Sequence, residues 1–187
     1  MLRLYRQTVE DFSVYPGREF SEEEMERLRI EESRMSAKMR AVRIVSASSV
    51  SKRDLEQRLV SKGEDPAQAK EAVVWMSELN LLDDGKTAEQ VVHQCARKGY
   101  GVARAKQALY EKKIPKQYWE EALADYPDQS VYIQEFLESR LDAEADQKSI
   151  KRAIDALLRK GHNYSEIRRA LERVRQDYED FREEYDG

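Results

Sequence analysis

The chain has 187 residues, of which 40% are hydrophobic, 37% are charged and only 9% are aromatic, and its formal net charge at pH 7 is −4. These values allow a buried core but predict slender elements with wide solvated faces, so we expect a mostly helical, soluble protein. The slightly acidic balance excludes a general attraction to nucleic acid, which only a local concentration of basic residues would provide.

The cysteine content and the hydropathy pattern indicate in which cellular compartment the protein works. Cys95 is the only cysteine, which excludes an internal disulfide and fits a reducing compartment. No apolar run approaches the length of a membrane-spanning helix, and the N-terminus lacks the apolar segment of a secretory signal. We therefore expect a cytoplasmic protein with no membrane partner.

Residues 1–34 differ in pattern from the rest and are predicted to form an N-terminal extension. Apolar residues in the first 20 positions recur with a period near two around the turn sequence YPGR at 15–18, which predicts a small β-hairpin or an extended arm. Residues 21–34 are strongly charged, and Ser21 and Glu24 have the spacing of a capping box. This part is therefore predicted to be a solvated connecting helix.

Helical periodicity becomes regular at Met35. After a helix over 35–47, the stretch 51–81 predicts two helices joined at Lys62-Gly63, with Ser51 as an N-cap and Gly63 in a left-handed position. Further helices are predicted over 86–98, over 104–113, from 115 onward and over 130–142.

Three segments align with one another at fixed offsets, and the copies start 50 and then 48 residues apart. This register predicts an all-α fold of three tandem three-helix repeats over 35–82, 83–127 and 128–187, stacked into an elongated, curved array. The aligned positions are Leu59, Lys62, Gly63, Ala72 and Val73, then Leu109, Lys112, Lys113, Ala122 and Leu123, and then Leu157, Lys160, Gly161, Ala170 and Leu171.

Several sequence motifs are shared with a known family. The pattern S-x-x-D-L-x-x-x-L-x-x-K-G starts at Ser51, L-N-L-L-D-D stands at 79–84, and Arg97-Lys98-Gly99 leads to A-L-x-x-K-x-I-P at 108–115. The run LLRKGHNYSEIRRAL at 157–171 is a further match. These residues resemble the RecX family, the regulators of the bacterial recombinase RecA.

The resemblance implies a regulatory protein that binds the RecA–DNA filament. It also implies that the protein modulates the ATPase and recombinase activities of RecA in homologous recombination and DNA repair, most often by inhibiting them. Single- or double-stranded DNA would be a second partner. We further expect a monomer.

Charge is strongly segregated along the chain. Residues 148–175 hold nine Lys and Arg against three acidic residues, a local net charge of +6, whereas residues 120–146 hold nine acidic residues against one Arg, a local net charge of −8. Such an arrangement suits contacts with phosphate through one part and with basic protein through another. A solvated helix face is the alternative for each residue. The candidate binding residues are Lys62, Arg97, Lys98, Arg104, Lys106, Lys112, Lys151, Arg152, Arg159, Lys160, Arg168 and Arg169.

The sequence offers no pattern typical of catalysis. His93 and His162 are far apart, and H-x-x-x-H spacing, paired cysteines and a glycine-rich phosphate loop are all missing. We therefore predict that the protein is not an enzyme and that it has no catalytic residue, metal site or cofactor. Two other functions stay open: a helical DNA- or RNA-binding module that acts independently of RecA, and a structural scaffold for other proteins.

Overall fold

The computed structural model describes residues 4–142 and 144–185, with side chains described as far as residue 176. Every regular element in this part of the chain is a helix, so the prediction of an all-α fold is confirmed. The elements are α1 (Arg6–Asp11), α2 (Glu22–Ala47), α3 (Lys52–Ser61), α4 (Pro66–Glu78), α5 (Asp84–Arg97), α6 (Val102–Glu111), a 3₁₀ turn (Lys116–Tyr118), α7 (Trp119–Leu123), α8 (Ser130–Glu138), α9 (Gln147–Arg159) and α10 (Tyr164–Tyr185).

The predicted N-terminal β-hairpin is wrong for residues 4–20. Arg6–Asp11 forms the short helix α1, in which the side chains of Arg6 and Glu10 pair one turn apart at 2.9 Å. A two-stranded hairpin is marginal in water without a sheet to join, and no strand is present in residues 4–142 or 144–185. The first three residues of the predicted hairpin lie outside the described residues.

Helix α2 begins at the predicted capping box. The Ser21 hydroxyl accepts a hydrogen bond from the Glu24 amide at 3.1 Å, and the Glu24 carboxylate accepts one from the Ser21 amide at 2.9 Å. The helix continues to Ala47 because residues 22–47 contain neither glycine nor proline. The two helices expected on either side of residue 34 are therefore one helix, which crosses the expected end of the extension.

The chain divides into two compact units, one ending at Thr87 and the other starting at Ala88. The core of the first unit is built by α2, α3 and α4. Alanines from α2 and α4 take part in it, and such small side chains let helix axes approach closely. The fully buried members of this core are Ala37, Ala41, Leu55, Leu59, Ala69 and Ala72.

The second unit contains two core clusters. One joins α5, α6 and the segment around α7, and includes the buried residues Val91, Val92 and Leu109. The other joins α8, α9 and α10, and includes Ile133 and Leu157. Each predicted repeat thus contains one core cluster, while the repeat boundaries themselves stay a prediction.

One local motif occurs at the end of α3, α6 and α9. In each case the chain reverses through a residue with positive φ, namely Gly63 (90°), Lys113 (56°) and Gly161 (87°). The amide of the next residue then donates back to the carbonyl of a buried leucine at 3.1–3.2 Å, as in a Schellman motif. The aligned lysine–glycine positions of the sequence therefore correspond to equivalent helix ends.

Candidate partner-binding surface

Two turns of the second unit meet backbone to backbone, and we call this contact the glycine joint. It joins the turn 98–101, between α5 and α6, to the turn 160–162, between α9 and α10. The Gly101 amide donates a hydrogen bond to the Lys160 carbonyl at 2.9 Å. A Cβ atom on Gly101 would overlap the Gly161 carbonyl, so the approach requires glycine there.

His162 closes the joint from inside. It is only 5% exposed, and its Nε2 lies 3.0 Å from the Gly99 carbonyl oxygen. Because a carbonyl only accepts hydrogen bonds, Nε2 carries the proton. The ring also stacks on Tyr132 with centroids 5.7 Å apart. Burial lowers the pKa of His162 below its usual 6.5, and the hydrogen bond to Gly99 opposes this only in part, so the imidazole is neutral at pH 7.

Lys160 lies within an aromatic cage, the term we use for the rings of Tyr100, Tyr132 and Phe136. Its ammonium nitrogen is 5.4, 5.2 and 6.0 Å from the three ring centroids. The guanidinium of Arg140 lies 4.5 Å from the centroid of Phe136. These are cation–π distances, so Lys160 links the turn 160–162 to Tyr132 and Phe136 on α8 and to Tyr100 in the other turn.

A tyrosine hydroxyl holds the other side of the first turn. The Tyr126 hydroxyl donates to the Tyr100 carbonyl at 2.6 Å. Burial raises the pKa of Tyr126 to about 12, so this donor keeps its proton over the physiological range. The turn 98–101 is thus held by the Lys160 carbonyl, the His162 imidazole and the Tyr126 hydroxyl.

The glycine joint brings together basic residues that are distant in sequence. Arg97 is the last residue of α5, Lys98 begins the first turn, and Arg159 is the last residue of α9; all three are exposed. Arg104 follows the first turn, is half-buried and pairs with Glu111 at 3.0 Å. We call Arg97, Lys98, Arg104 and Arg159 the turn surface.

Other candidate residues lie elsewhere. Lys106, Lys151 and Arg152 are exposed on α6 and α9, and Lys112 is half-buried at the end of α6. On α10 the Arg168 guanidinium pairs with Glu172 at 3.0 Å, and that of Arg169 donates to the Ser165 carbonyl at 3.3 Å. Lys62 is exposed in the first unit. The role of each in binding stays a prediction.

Sequence reasoning missed how the second unit is built around Lys160 and His162. The pattern Lys-Gly-His at 160–162 indicated a helix end, but nothing local indicated that the histidine would reach Gly99. The glycines at 99 and 101 were the available signal, because two glycines so close together often mark a close backbone approach.

The geometry offers no metal centre in the part of the chain that the structure describes, since no group of three or more His, Cys, Asp or Glu side chains is suitably arranged. Cys95 is buried, and burial raises the pKa of its thiol, which makes it a poor nucleophile. None of the described helices is both long and apolar enough to cross a bilayer.

Comparison with known proteins identifies related sequences. The family model "RecX, second three-helix domain" matches residues 83–123. The regulatory protein RecX of Vibrio parahaemolyticus is 30% identical over 146 residues, which cover 73% of this chain and 90% of that protein.

Two solved structures share the fold. The crystal structure of RecX from Lactobacillus salivarius superposes with a TM-score of 0.65 at 21% identity, covering 77% of this chain and 97% of that one. A second crystal structure, of a regulatory protein RecX, gives a TM-score of 0.69 at 16% identity, with 89% of this chain and 86% of that one covered.

Proposed function

The chain belongs to the RecX family of regulatory proteins, and on that premise we propose that it binds the RecA–DNA filament and inhibits its ATPase and recombinase activities. The glycine joint is the observation that carries the proposal for this chain. The exposed cations Arg97, Lys98 and Arg159 lie in or next to these two turns, which are hydrogen-bonded to each other. A group of cations on a rigid scaffold suits the phosphates and carboxylates of a nucleoprotein filament, because little backbone entropy is lost on binding.

The regulatory role accords with the architecture. Helical repeats present extended surfaces and bind polymers or proteins rather than enclosing small substrates. We place the protein among cytoplasmic regulators of homologous recombination and DNA repair, with RecA as its main partner and DNA as the second.

The test is a titration of the protein into RecA assembled on single-stranded DNA, with ATP hydrolysis and strand exchange as readouts. We expect inhibition by the wild type and at least a tenfold weaker effect from the triple variant Arg97→Glu, Lys98→Glu, Arg159→Glu, since three carboxylates would then face the negative charges of the filament. A wild type without effect on either readout would contradict the proposed function.

A matched control separates position from net charge. The triple variant Arg27→Glu, Arg43→Glu, Arg53→Glu changes three exposed arginines of the first unit and alters the net charge equally. It should inhibit as the wild type does. Equal losses in both triple variants would remove the turn surface from the proposal.

The alternative function is a nucleic-acid-binding module that acts without RecA. The exposed basic residues of the turn surface are the observation that favours it. It predicts that bare single-stranded DNA binds as tightly as the filament does, with an affinity that falls steeply as salt increases. A filament affinity well above that of bare DNA would reject this alternative.

A further inference from the structure

The second unit has an open groove whose lining shares Arg97 with the turn surface. It runs between α5 and residues 121–127, which comprise the end of α7 and the segment after it, and it has a volume of about 590 Å³. The residues from α5 recur every three or four positions, so they share one face of that helix over two turns, roughly 12 Å. The lining residues are Glu89, Val92, His93, Ala96, Arg97, Glu121, Ala122, Asp125 and Pro127.

The groove combines a small apolar floor with an acidic rim. Val92 is buried, and Ala96 and Ala122 are half-buried beside it. Glu121 and Asp125 stand on one rim, one turn apart, and Glu89 stands on the other. Within the described part of the chain, none of these three exposed carboxylates forms a salt bridge, so their charge faces solvent.

From this arrangement we propose that the groove docks an amphipathic helix of a protein partner that carries Lys or Arg beside small apolar residues. The floor is made of alanine and one valine, which lets the axis of a docked helix approach closely when its facing side chains are also small. The carboxylates on both rims attract cations and repel the phosphates of nucleic acid. An open groove two helical turns long suits the helix-in-groove mode of recognition.

The charge pattern also orients the docked helix. Arg97 lies at one end of the groove and Glu89 at the other, on the same face of α5. The C-terminus of a helix carries partial negative charge. The docked helix therefore directs its C-terminal end toward Arg97.

The inference rests on the proposed function for the identity of the partner, because the filament's protein surface would supply the basic helix. It adds a contact to protein through the groove, which shares only Arg97 with the turn surface proposed to contact phosphate. Two experimental arms keep the two ideas separate.

The first arm does not depend on RecA. A helical peptide of about 15 residues, made of alanine with lysine at every fourth position, is long enough to fold in part by itself. Added to isotope-labelled full-length protein, it should shift the amide resonances of Val92, Ala96 and Ala122. A peptide with glutamate in place of lysine should not. Absent shifts, or shifts spread over other surfaces, would overturn the inference.

The second arm measures binding to the RecA filament with two charge-matched variants. Glu121→Lys with Asp125→Lys reverses the rim, whereas Glu120→Lys with Glu135→Lys makes the same change in net charge on exposed residues outside the groove. We expect the rim variant to lose at least tenfold in affinity relative to the control. Equal affinities would show that the filament does not use the groove.

The outcomes of the two arms are distinguishable. If the peptide binds and the wild type fails to bind the filament, the groove stands and the proposed function falls. If the filament binds and neither variant nor peptide has an effect, the proposed function stands and the groove has no role as a docking site.

Discussion

The helix ends at Lys62-Gly63 and at Lys160-Gly161 have the same sequence and the same backbone geometry but different surroundings. At the first, Lys62 is exposed and a Cβ atom on Gly63 would meet nothing within 4 Å. At the second, Lys160 lies in the aromatic cage, and a Cβ atom on Gly161 would overlap the backbone of Arg104. The same local motif therefore makes few tertiary contacts in the first unit and many in the second.

The residue that follows each glycine shows how the two sites differ. Glu64 and His162 occupy aligned positions, and both are buried. Glu64 accepts hydrogen bonds from Ser36, at 3.1 Å, and from Arg40, both on α2. His162 instead binds the backbone of another turn at Gly99. The residue at this aligned position thus hydrogen-bonds to a helix in the first unit and to a turn in the second.

Alanine substitutions at glycine should separate these sites most strongly. Gly161→Ala combines strained φ with a backbone overlap and should cost about 4 kcal/mol or prevent folding. Gly63→Ala has the strain alone and should cost about 1 kcal/mol. Urea unfolding measures both. Gly101→Ala, at φ −80°, tests the overlap without the strain and should cost about 2 kcal/mol. A cost at Gly101 no larger than at Gly63 would contradict the close approach.

The two histidines offer the next largest contrast. His162→Ala removes a buried hydrogen bond and a stacked ring, so the free energy of unfolding should fall by about 2–3 kcal/mol. His93→Ala changes an exposed residue and should stay within about 0.5 kcal/mol of the wild type. Thermal and urea unfolding would show this difference, and similar values for both variants would mean that His162 is not a structural anchor.

Methionine in place of lysine tests the aromatic cage. Lys160→Met keeps an apolar chain but removes the ammonium, and we expect a loss of about 1 kcal/mol from the cation–π contacts. Lys62→Met should leave the stability unchanged to within about 0.5 kcal/mol. A stability gain at position 160 would show that desolvation of the ammonium outweighs its attraction to the rings.

His162 should contribute to the change in the free energy of unfolding with pH. Its folded-state pKa lies below the usual 6.5, so the unfolded chain binds a proton first as the pH falls. The contribution of the neutral imidazole is complete above pH 6.5 and is lost as the pH falls toward the lower folded-state pKa. His162→Gln should flatten the stability profile as the pH falls below 6.5, where only the unfolded chain takes up this proton. An unchanged slope in the variant would assign this dependence to other groups.

Local signals in the sequence predicted much of the fold. The capping box at Ser21, the N-cap at Ser51 and the left-handed conformation of Gly63 are all present, because each depends on a few adjacent residues. The hairpin prediction failed because a short period of two is weak evidence without a partner sheet. The break expected near residue 34 failed because no helix-breaking residue stands there.

The candidate site was less predictable, since it depends on contacts between residues far apart in the chain. His162 and Gly99 are separated by 63 positions, and their hydrogen bond follows from how two core clusters meet. The sequence analysis identified Arg97 and Arg159 as candidate binding residues but did not predict that the turns beside them are joined. The groove beside α5 could not be predicted from the sequence either, because it forms only when α7 packs next to α5.

The Gly101 amide has a further consequence for the dynamics of the second unit. Its hydrogen bond to Lys160 joins two core clusters and does not belong to a helix, so it breaks only when those clusters separate. Hydrogen exchange at this amide therefore reports on the opening of the whole unit, whereas exchange at Gly63 reports on fraying of a single helix end. A partner that binds both turns at once would slow exchange at Gly101 and leave Gly63 unchanged.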